Sequence, residues 1–366
     1  MENSAKAMVF RGSGKPLTLR EFQIPTLKEG ELLVQISQCA ICISDLHTIS
    51  GKRESPLPLI PGHEIVGTIK ELPPKSKLTD LKGQILQPGD MITWTLNTSC
   101  GKCFNCRKEI PQKCKHLTKY GHSPISEEYS LNGGMAEYIL LRKGTSIIKL
   151  DNHIPAHLYT CINCSLSTVM AAIHAAGKIE GSTALIFGAG MLGTLCSAVL
   201  KSQKAEKIIA IDPNLKRLEI IQQFGTSHAI QWRDDLGTEA LIRHILTITE
   251  NHGADLVFEM SGAEMAISTA LQTMSTGGKL ILCGSVFPSG DISFNPETFV
   301  RKLWEIKGIH NYNTPDFLAA EKFLSNNISN FPFSDLFHPG FYSLEETEEA
   351  IKTARTKKFH RVVITP

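Results

Sequence analysis

Cys100, Cys103, Cys106 and Cys114 form a C-x2-C-x2-C-x7-C run, and nothing else in the sequence limits the local fold as strongly. Thiols this close together can converge on one tetrahedral ion, each through a bond of about 2.3 Å to zinc. The intervening Gly101, Lys102, Phe104, Asn105, Arg107 and Lys108 are mainly polar and basic. That suits a surface lobe and offsets part of the charge of four thiolates. Iron–sulfur runs share the first three cysteines, but their fourth follows after about three residues and precedes proline. Here it follows after seven and precedes Lys115. A disulfide pair is the remaining alternative. With four positions filled, the run predicts a closed, structural zinc site rather than a catalytic one.

A closed site does no chemistry, so the chemistry must lie elsewhere. Upstream, Cys42-Ile43-Ser44-Asp45-Leu46-His47 is followed by Pro61-Gly62-His63-Glu64, and downstream Cys164 sits in Asn163-Cys164-Ser165-Leu166. Cys42, His63 and Cys164 make a Cys2His set with a fourth position open to water or substrate. Taken singly, a cysteine is more often a small buried hydrophobe. The order of the three around the four-cysteine run carries the signal.

The second half reads as a nucleotide-binding unit. Ala184-Leu185-Ile186-Phe187 is an apolar run suited to a buried parallel strand. Gly188-Ala189-Gly190-Met191-Leu192-Gly193 then gives G-x-G-x-x-G, followed by an apolar helix through Leu195, Cys196, Val199 and Leu200. The first glycine permits a tight turn, the second lets backbone approach a diphosphate, and the third allows close helix–strand packing. Free N–H groups at the helix start, around Met191 and Leu192, favour the anion. A second strand, Ile208-Ile209-Ala210-Ile211, ends in Asp212 about 20 residues on, where an acid meets the ribose hydroxyls and repels a 2′-phosphate. NAD(H) is therefore expected over NADP(H), although Lys216 and Arg217 follow, and Arg217 is a candidate cofactor contact.

Together with Gly133-Gly134-Met135-Ala136-Glu137-Tyr138, which is similar to a GGxAEY strand, these motifs in this order resemble the zinc-dependent medium-chain alcohol dehydrogenases over essentially the full chain. The resemblance implies an α/β fold, with a GroES-like, mostly-β catalytic domain and a Rossmann doubly wound parallel sheet. It implies two zinc ions per chain and reversible hydride transfer between an alcohol and an aldehyde or ketone. By the same resemblance Ser44 takes the alcohol proton, the cofactor ribose carries it on, and His47 passes it to solvent. Asp45 would orient His63, Glu64 would approach the catalytic zinc during water exchange, and Arg361 would bind the cofactor diphosphate. Ile43 departs from the vertebrate pattern, which has a diphosphate-binding arginine there.

Composition is consistent with this reading. The 366 residues carry a formal net charge of +2, which argues against nucleic acid or a membrane as main partner. Residues 184–200 carry no charge, but glycines interrupt the run and a span needs about 20 residues. With no signal-like start and ten cysteines, a cytoplasmic enzyme is expected, working as a dimer or tetramer by family resemblance. Short strands and Gly/Pro turns dominate the first half, and strands alternate with helices from about Thr168. The expected division is 1–165 catalytic, with the zinc lobe at 95–117, then 166–307 for the cofactor, then a return over 308–366. Ser343 and Glu346 look like a capping box opening a last helix.

A zinc-binding interaction module would have no use for the Cys42–His63–Cys164 set or the glycine fingerprint, and zinc-free relatives of this fold lack the metal sites. For substrate, Arg53 falls where vertebrate relatives place an aliphatic pocket residue, and His310 and Asn311 fall near the nicotinamide side. Gly308–Tyr312 and Asn163-Cys164 are also similar to dehydrogenases associated with phosphonate catabolism. An anionic alcohol or aldehyde is the expectation, with a polyol or secondary alcohol as the alternative.

Overall fold

The computed structural model describes residues 4–287 and 290–366. The chain divides into two compact units. One holds the chain up to Cys164 with Asn313–Ile328 and Phe333–Pro366, and the other holds Ser165–Tyr312 with Ser329–Pro332.

Among the described residues the first unit is mostly β. A hairpin-like pair, β1 (Ser4–Val9) and β2 (Thr18–Gln23), precedes the central strand β3 (Leu32–Ala40). Strand β3 is flanked on one side by β4 (Glu64–Glu71), β5 (Met91–Trp94) and β7 (Ile147–Lys149), and β6 (Tyr138–Leu141) also pairs with it. Buried aliphatics of these strands close on Trp94 and Tyr120 to form the core.

The second unit is built on six parallel strands. These are β8 (Thr183–Phe187), β9 (Lys207–Asp212), β10 (His228–Gln231), β11 (Ala254–Glu259), β12 (Met274–Leu282) and β13 (Glu305–Gly308). Their order, β10-β9-β8-β11-β12-β13, is that of a Rossmann sheet. The uncharged run 184–200 is accounted for as β8, a glycine turn and helix Met191–Ser202. A parallel strand is covered on both faces, which is why β8 shows no polar alternation. One helical run, Ala156–Ala176, is long and apolar enough to cross a membrane, but 72% of its apolar window is buried within the protein, as in a core helix.

The chain then supplies β14 (Phe337–Tyr342) and β15 (Arg361–Ile364) to the first unit, with β15 antiparallel to β3. The return placed at 308 falls after Tyr312 instead. Pairing with β12 continues past β13, with Ile309 N–H donating to Leu282 C=O at 2.8 Å, and this holds the segment in the second unit. The first boundary falls after Cys164 rather than 165. Ser343 and Glu346 do exchange the reciprocal capping bonds, but around a turn that leads into helix Thr347–Arg355 rather than at its first residue.

Candidate active site

In the lobe, the four cysteine sulfurs lie within 4.8 Å of one another. Bonds of about 2.3 Å to a tetrahedral ion require S···S edges of about 3.8 Å. The Cys103 sulfur lies 3.5 Å from that of Cys106 and 3.8 Å from that of Cys114. A disulfide needs about 2.05 Å, and all four thiols are free, so that alternative is excluded. Backbone N–H groups of Cys100 and His116 point at the Cys114 sulfur at 3.3 Å each, and that of Lys115 at the Cys103 sulfur. The donors from Lys115 and Cys106 lower the Cys103 thiol to about 6. Burial pushes the Cys106 thiol the other way, up to about 12, so in the lobe by itself the thiols share their protons unevenly.

The second constellation joins residues far apart in sequence. Cys42 begins helix Ile43–Ile49 as its N-cap, and Asp45 closes a capping box by accepting the Cys42 N–H at 2.9 Å. The other Asp45 oxygen accepts from His63 Nδ1 at 3.0 Å and from Gly62 N–H at 3.3 Å. Both side chains are buried. Asp45 therefore orients the ring and turns Nε2 toward Ser44, 3.2 Å from its Oγ. Cys164 lies on a π turn, Ile162–Leu166, a local widening common at functional positions. The ligand atoms of Cys42, His63 and Cys164 lie within 4.8 Å of one another. Soft thiolates and an oriented imidazole fit zinc.

The electrostatics agree. Burial pulls His63 down, but the charge and hydrogen bond of Asp45 and the Cys42 thiol prevail and hold the imidazole at about 10 in these three side chains by themselves. A hydrogen bond from Cys164 lowers the Cys42 thiol, with burial opposing and the Arg361 charge assisting. Arg361, on β15, is almost fully buried and grips Glu64 with two donors, Nε and Nη2, the latter at 2.7 Å from Oε1. Nη2 also reaches the Cys42 sulfur at 3.5 Å, and Nη1 donates to His360 C=O at 2.8 Å. Burial lifts Glu64 to about 6 even against this cation. The structure thus gives Arg361 a task the motif did not suggest: it neutralises Glu64 and supports Cys42.

His47 lies one turn beyond Ser44 on the same helix and is half-buried. Burial, then Lys52 and Lys357, lowers its pKa, which keeps the imidazole neutral and able to take a proton. Arg53 follows, with its N–H bonded to His47 C=O at 3.1 Å and its guanidinium half-buried. His310 is exposed on the second unit, beyond β13. Two residues escaped notice in the sequence. His122 is buried and lies against His63 with ring centroids 4.7 Å apart, and Lys119 is three residues before it. Nothing in the sequence marks them, because neither belongs to a motif or a periodic pattern.

In the second unit two of the fingerprint glycines are required by close neighbours and the third lies open. Gly188 has φ of 99°, and a Cβ there would press on Ser261. A Cβ at Gly193 would lie 1.8 Å from Gly188 C=O, so the helix can approach the turn only without one. At Gly190 nothing lies within 4 Å, which leaves the backbone open where a diphosphate would rest. Helix Met191–Ser202 starts there and directs the N–H groups of its first turn, Met191 and Leu192 included, toward that space. Asp212 ends β9, buried, and accepts from Ala189 N–H and Asn214 N–H at 2.8 Å each. The acid expected at the ribose thus also braces the glycine turn. Arg217 is half-buried in the first turn of helix Leu215–Gln222, capped by Asn214.

The fold and these two sites define a class, and comparison with known proteins agrees. Residues 28–152 match the family description "Alcohol dehydrogenase GroES-like domain" and residues 192–326 match "Zinc-binding dehydrogenase". The chain is 27% identical to an L-threonine 3-dehydrogenase of Pyrococcus horikoshii over 98% of each protein. An alcohol dehydrogenase of Thermotoga maritima superimposes with a TM-score of 0.92, 28% identity and 99% coverage of both chains. A putative zinc-binding dehydrogenase of Sinorhizobium meliloti, bound to NADP, shares the fold at a TM-score of 0.85 and 21% identity over both whole chains. The chain belongs to the zinc-dependent medium-chain alcohol dehydrogenase family and is an oxidoreductase of that family.

Proposed function

We propose that this protein is an NAD(H)-dependent alcohol dehydrogenase with two zinc ions per chain, acting on an anionic alcohol or aldehyde. The observation that carries the reading is the convergence of Cys42, His63 and Cys164 beside Ser44, with His63 held by Asp45. A zinc on these three side chains supplies Lewis acidity toward an alcohol or carbonyl oxygen, and the nicotinamide supplies hydride exchange. Ser44 Oγ, adjacent to His63 Nε2, is placed to receive the alcohol proton, and neutral His47 offers it a way to solvent. Asp45 fixes the His63 tautomer throughout. Zinc analysis combined with NAD(H)-dependent turnover across a panel of neutral and anionic alcohols tests the whole reading. L-threonine belongs in that panel, because the Pyrococcus relative is an L-threonine 3-dehydrogenase and threonine carries both a secondary alcohol and a carboxylate.

The fold carries NADP in the Sinorhizobium meliloti protein, so the preference of this chain rests on Asp212 itself. An Asp212→Ala variant is expected to narrow the ratio of kcat/KM for NAD over NADP, by removing ribose contacts and phosphate repulsion. It should also melt earlier, since two backbone bonds to a carboxylate contribute about 1.5–3 kcal/mol each. Wild-type kinetics favouring NADP would overturn the NAD assignment.

Arg53 supports an anionic substrate, because a planar guanidinium matches carboxylate or phosphonate oxygens. Arg53→Ala should cost anionic substrates about 2–5 kcal/mol of binding and lower their kcat/KM relative to neutral alcohols. An equal loss for both classes would remove Arg53 from the selectivity argument.

The homo-oligomer reading is supported by β13, the edge of the six-stranded sheet. Nearby Val300 and Leu303 are 69% and 70% exposed. An uncovered sheet edge with apolar neighbours favours pairing with a second copy. Leu303→Glu is expected to shift the mass measured by light scattering toward the monomer, and an unchanged mass would place the interface elsewhere.

A further inference from the structure

In the second unit, the ends of β11 and β12 are tied together by a carboxylate that belongs to neither zinc site and to no part of the glycine fingerprint. Glu259, the last residue of β11, is fully buried. Its Oε1 accepts from Ser261 N–H at 2.7 Å, from Ser261 Oγ at 2.8 Å and from Gly262 N–H at 2.6 Å. Its Oε2 accepts from Ser285 Oγ at 3.0 Å. The Glu259 C=O in turn accepts from the N–H groups of Cys283 and Gly284 at 2.9 Å each. One residue thus holds the loop after β11 and the loop after β12 in a single arrangement. The loops also meet directly, since a Cβ at Gly284 would lie 2.4 Å from Gly262 N and 2.6 Å from Ser261 N. All four donors to the side chain are neutral, and burying a carboxylate among neutral donors is costly.

The two loops lie where a dinucleotide needs them. The strand order reverses between β8 and β11, and sheets of this kind bind ligands outside the carboxyl ends of their strands at that point. Glu259 stands level with Phe187 of β8 and Leu282 of β12, so its loops follow beside the glycine turn. They touch it as well: a Cβ at Gly188 would lie 3.0 Å from the Ser261 Cβ. Asp212 at the end of β9 suits one ribose and the glycine turn at the end of β8 suits the diphosphate, which leaves the ends of β11 and β12 for the other nucleoside. A carboxylate accepts and does not donate, so both serine hydroxyls turn their hydrogens inward to it. The Ser261 oxygen then accepts from Ala263 N–H at 3.1 Å. The half-buried Ser285 oxygen keeps its lone pairs for a donor from outside the protein.

We propose that Glu259 is a positioning residue for the nicotinamide nucleoside of the cofactor. Through Ser261, Gly262 and Ser285 it fixes the two loops as one surface, and it keeps the Ser285 oxygen an acceptor for a ribose hydroxyl or a carboxamide N–H. This rests on the nicotinamide cofactor of the proposed function and deepens it. Glutamine at 259 would keep an oxygen for the Ser261 and Gly262 donors, but its amide nitrogen would donate to Ser285 and turn that hydroxyl hydrogen outward. The carboxylate is therefore needed for its acceptor character as well as for its shape.

Titration calorimetry on the zinc-loaded full chain with NADH, ADP-ribose and ADP tests this. ADP carries the diphosphate and the adenosine but not the second nucleoside, so it reports the glycine turn and Asp212 alone. Glu259→Gln and Ser285→Ala should each weaken NADH by about threefold to tenfold, as expected for the loss of one hydrogen bond, and should leave ADP within about twofold of wild type. Glu259→Ala, which frees both loops, should weaken NADH by about tenfold or more with the same sparing of ADP. A loss shared by ADP-ribose assigns the contact to the ribose, and a loss confined to NADH assigns it to the carboxamide. Melting curves show which variants are folded, and the Gln and Ser285→Ala variants carry the test if Glu259→Ala is not. Equal losses for ADP and NADH would make Glu259 a brace of the glycine turn only and overturn the assignment. Folded Glu259→Gln and Ser285→Ala proteins with wild-type NADH affinity would overturn it too. A wild type that binds neither ADP nor NADH would instead remove the cofactor reading itself, and this assignment with it.

Discussion

A Cys42→Ala variant is expected to bind one zinc per chain in place of two and to lose alcohol oxidation by at least about a thousandfold. The open ion contributes several kcal/mol of charge stabilisation, and each 1.36 kcal/mol is tenfold in rate. The fold should survive. Asp45 still accepts the backbone N–H of residue 42, so the helix Ile43–Ile49 keeps its cap, and Arg361 keeps both bonds to Glu64. Metal analysis, steady-state kinetics and a melting curve on one preparation check the three statements together. Full activity in the variant, or one zinc in the wild type, sinks the assignment of this centre.

Cys103→Ala should have the opposite signature, with a damaged lobe and an intact reaction centre. The short helix Phe104–Arg107 and the turn Pro111–Lys113 bury no residue, and Phe104 is 52% exposed. A segment with so little apolar burial depends on its ion for order, and zinc binding in comparable small sites contributes about 10–16 kcal/mol. Limited proteolysis should therefore cut within 95–117 in the variant and in chelator-treated wild type, while the Cys42–His63–Cys164 zinc is retained. A variant with a protease-resistant lobe would show that its order comes from elsewhere.

Where the chemistry needs residues close together in sequence, the sequence was sufficient. The C-x2-C-x2-C-x7-C spacing points to a tetrahedral thiolate site, because so short a chain can bring its sulfurs together locally, and the free thiols of the structure then set aside the disulfide alternative. The G-x-G-x-x-G turn is legible for the same reason: Gly188 and Gly193 face each other across a single turn, where a Cβ cannot fit. The Cys42, His63 and Cys164 set needed the order of several motifs. Its members meet only because β3 and β4 pair and the chain returns along the π turn at Ile162–Leu166.

Other features were decided by the tertiary structure. Arg361 and Glu64 lie 297 positions apart, and their buried ion pair exists only because β15 joins β3 late in the chain. Neither residue type nor spacing shows that Asp212 spends its two oxygens on Ala189 and Asn214. The same holds for Lys119 and His122, which belong to no periodic pattern and acquire meaning only from what surrounds them. Local spacing determines which groups one turn can bring together. Burial, charge compensation and the absence of a partner are properties of neighbours in space, and those arise only once the sheet has formed.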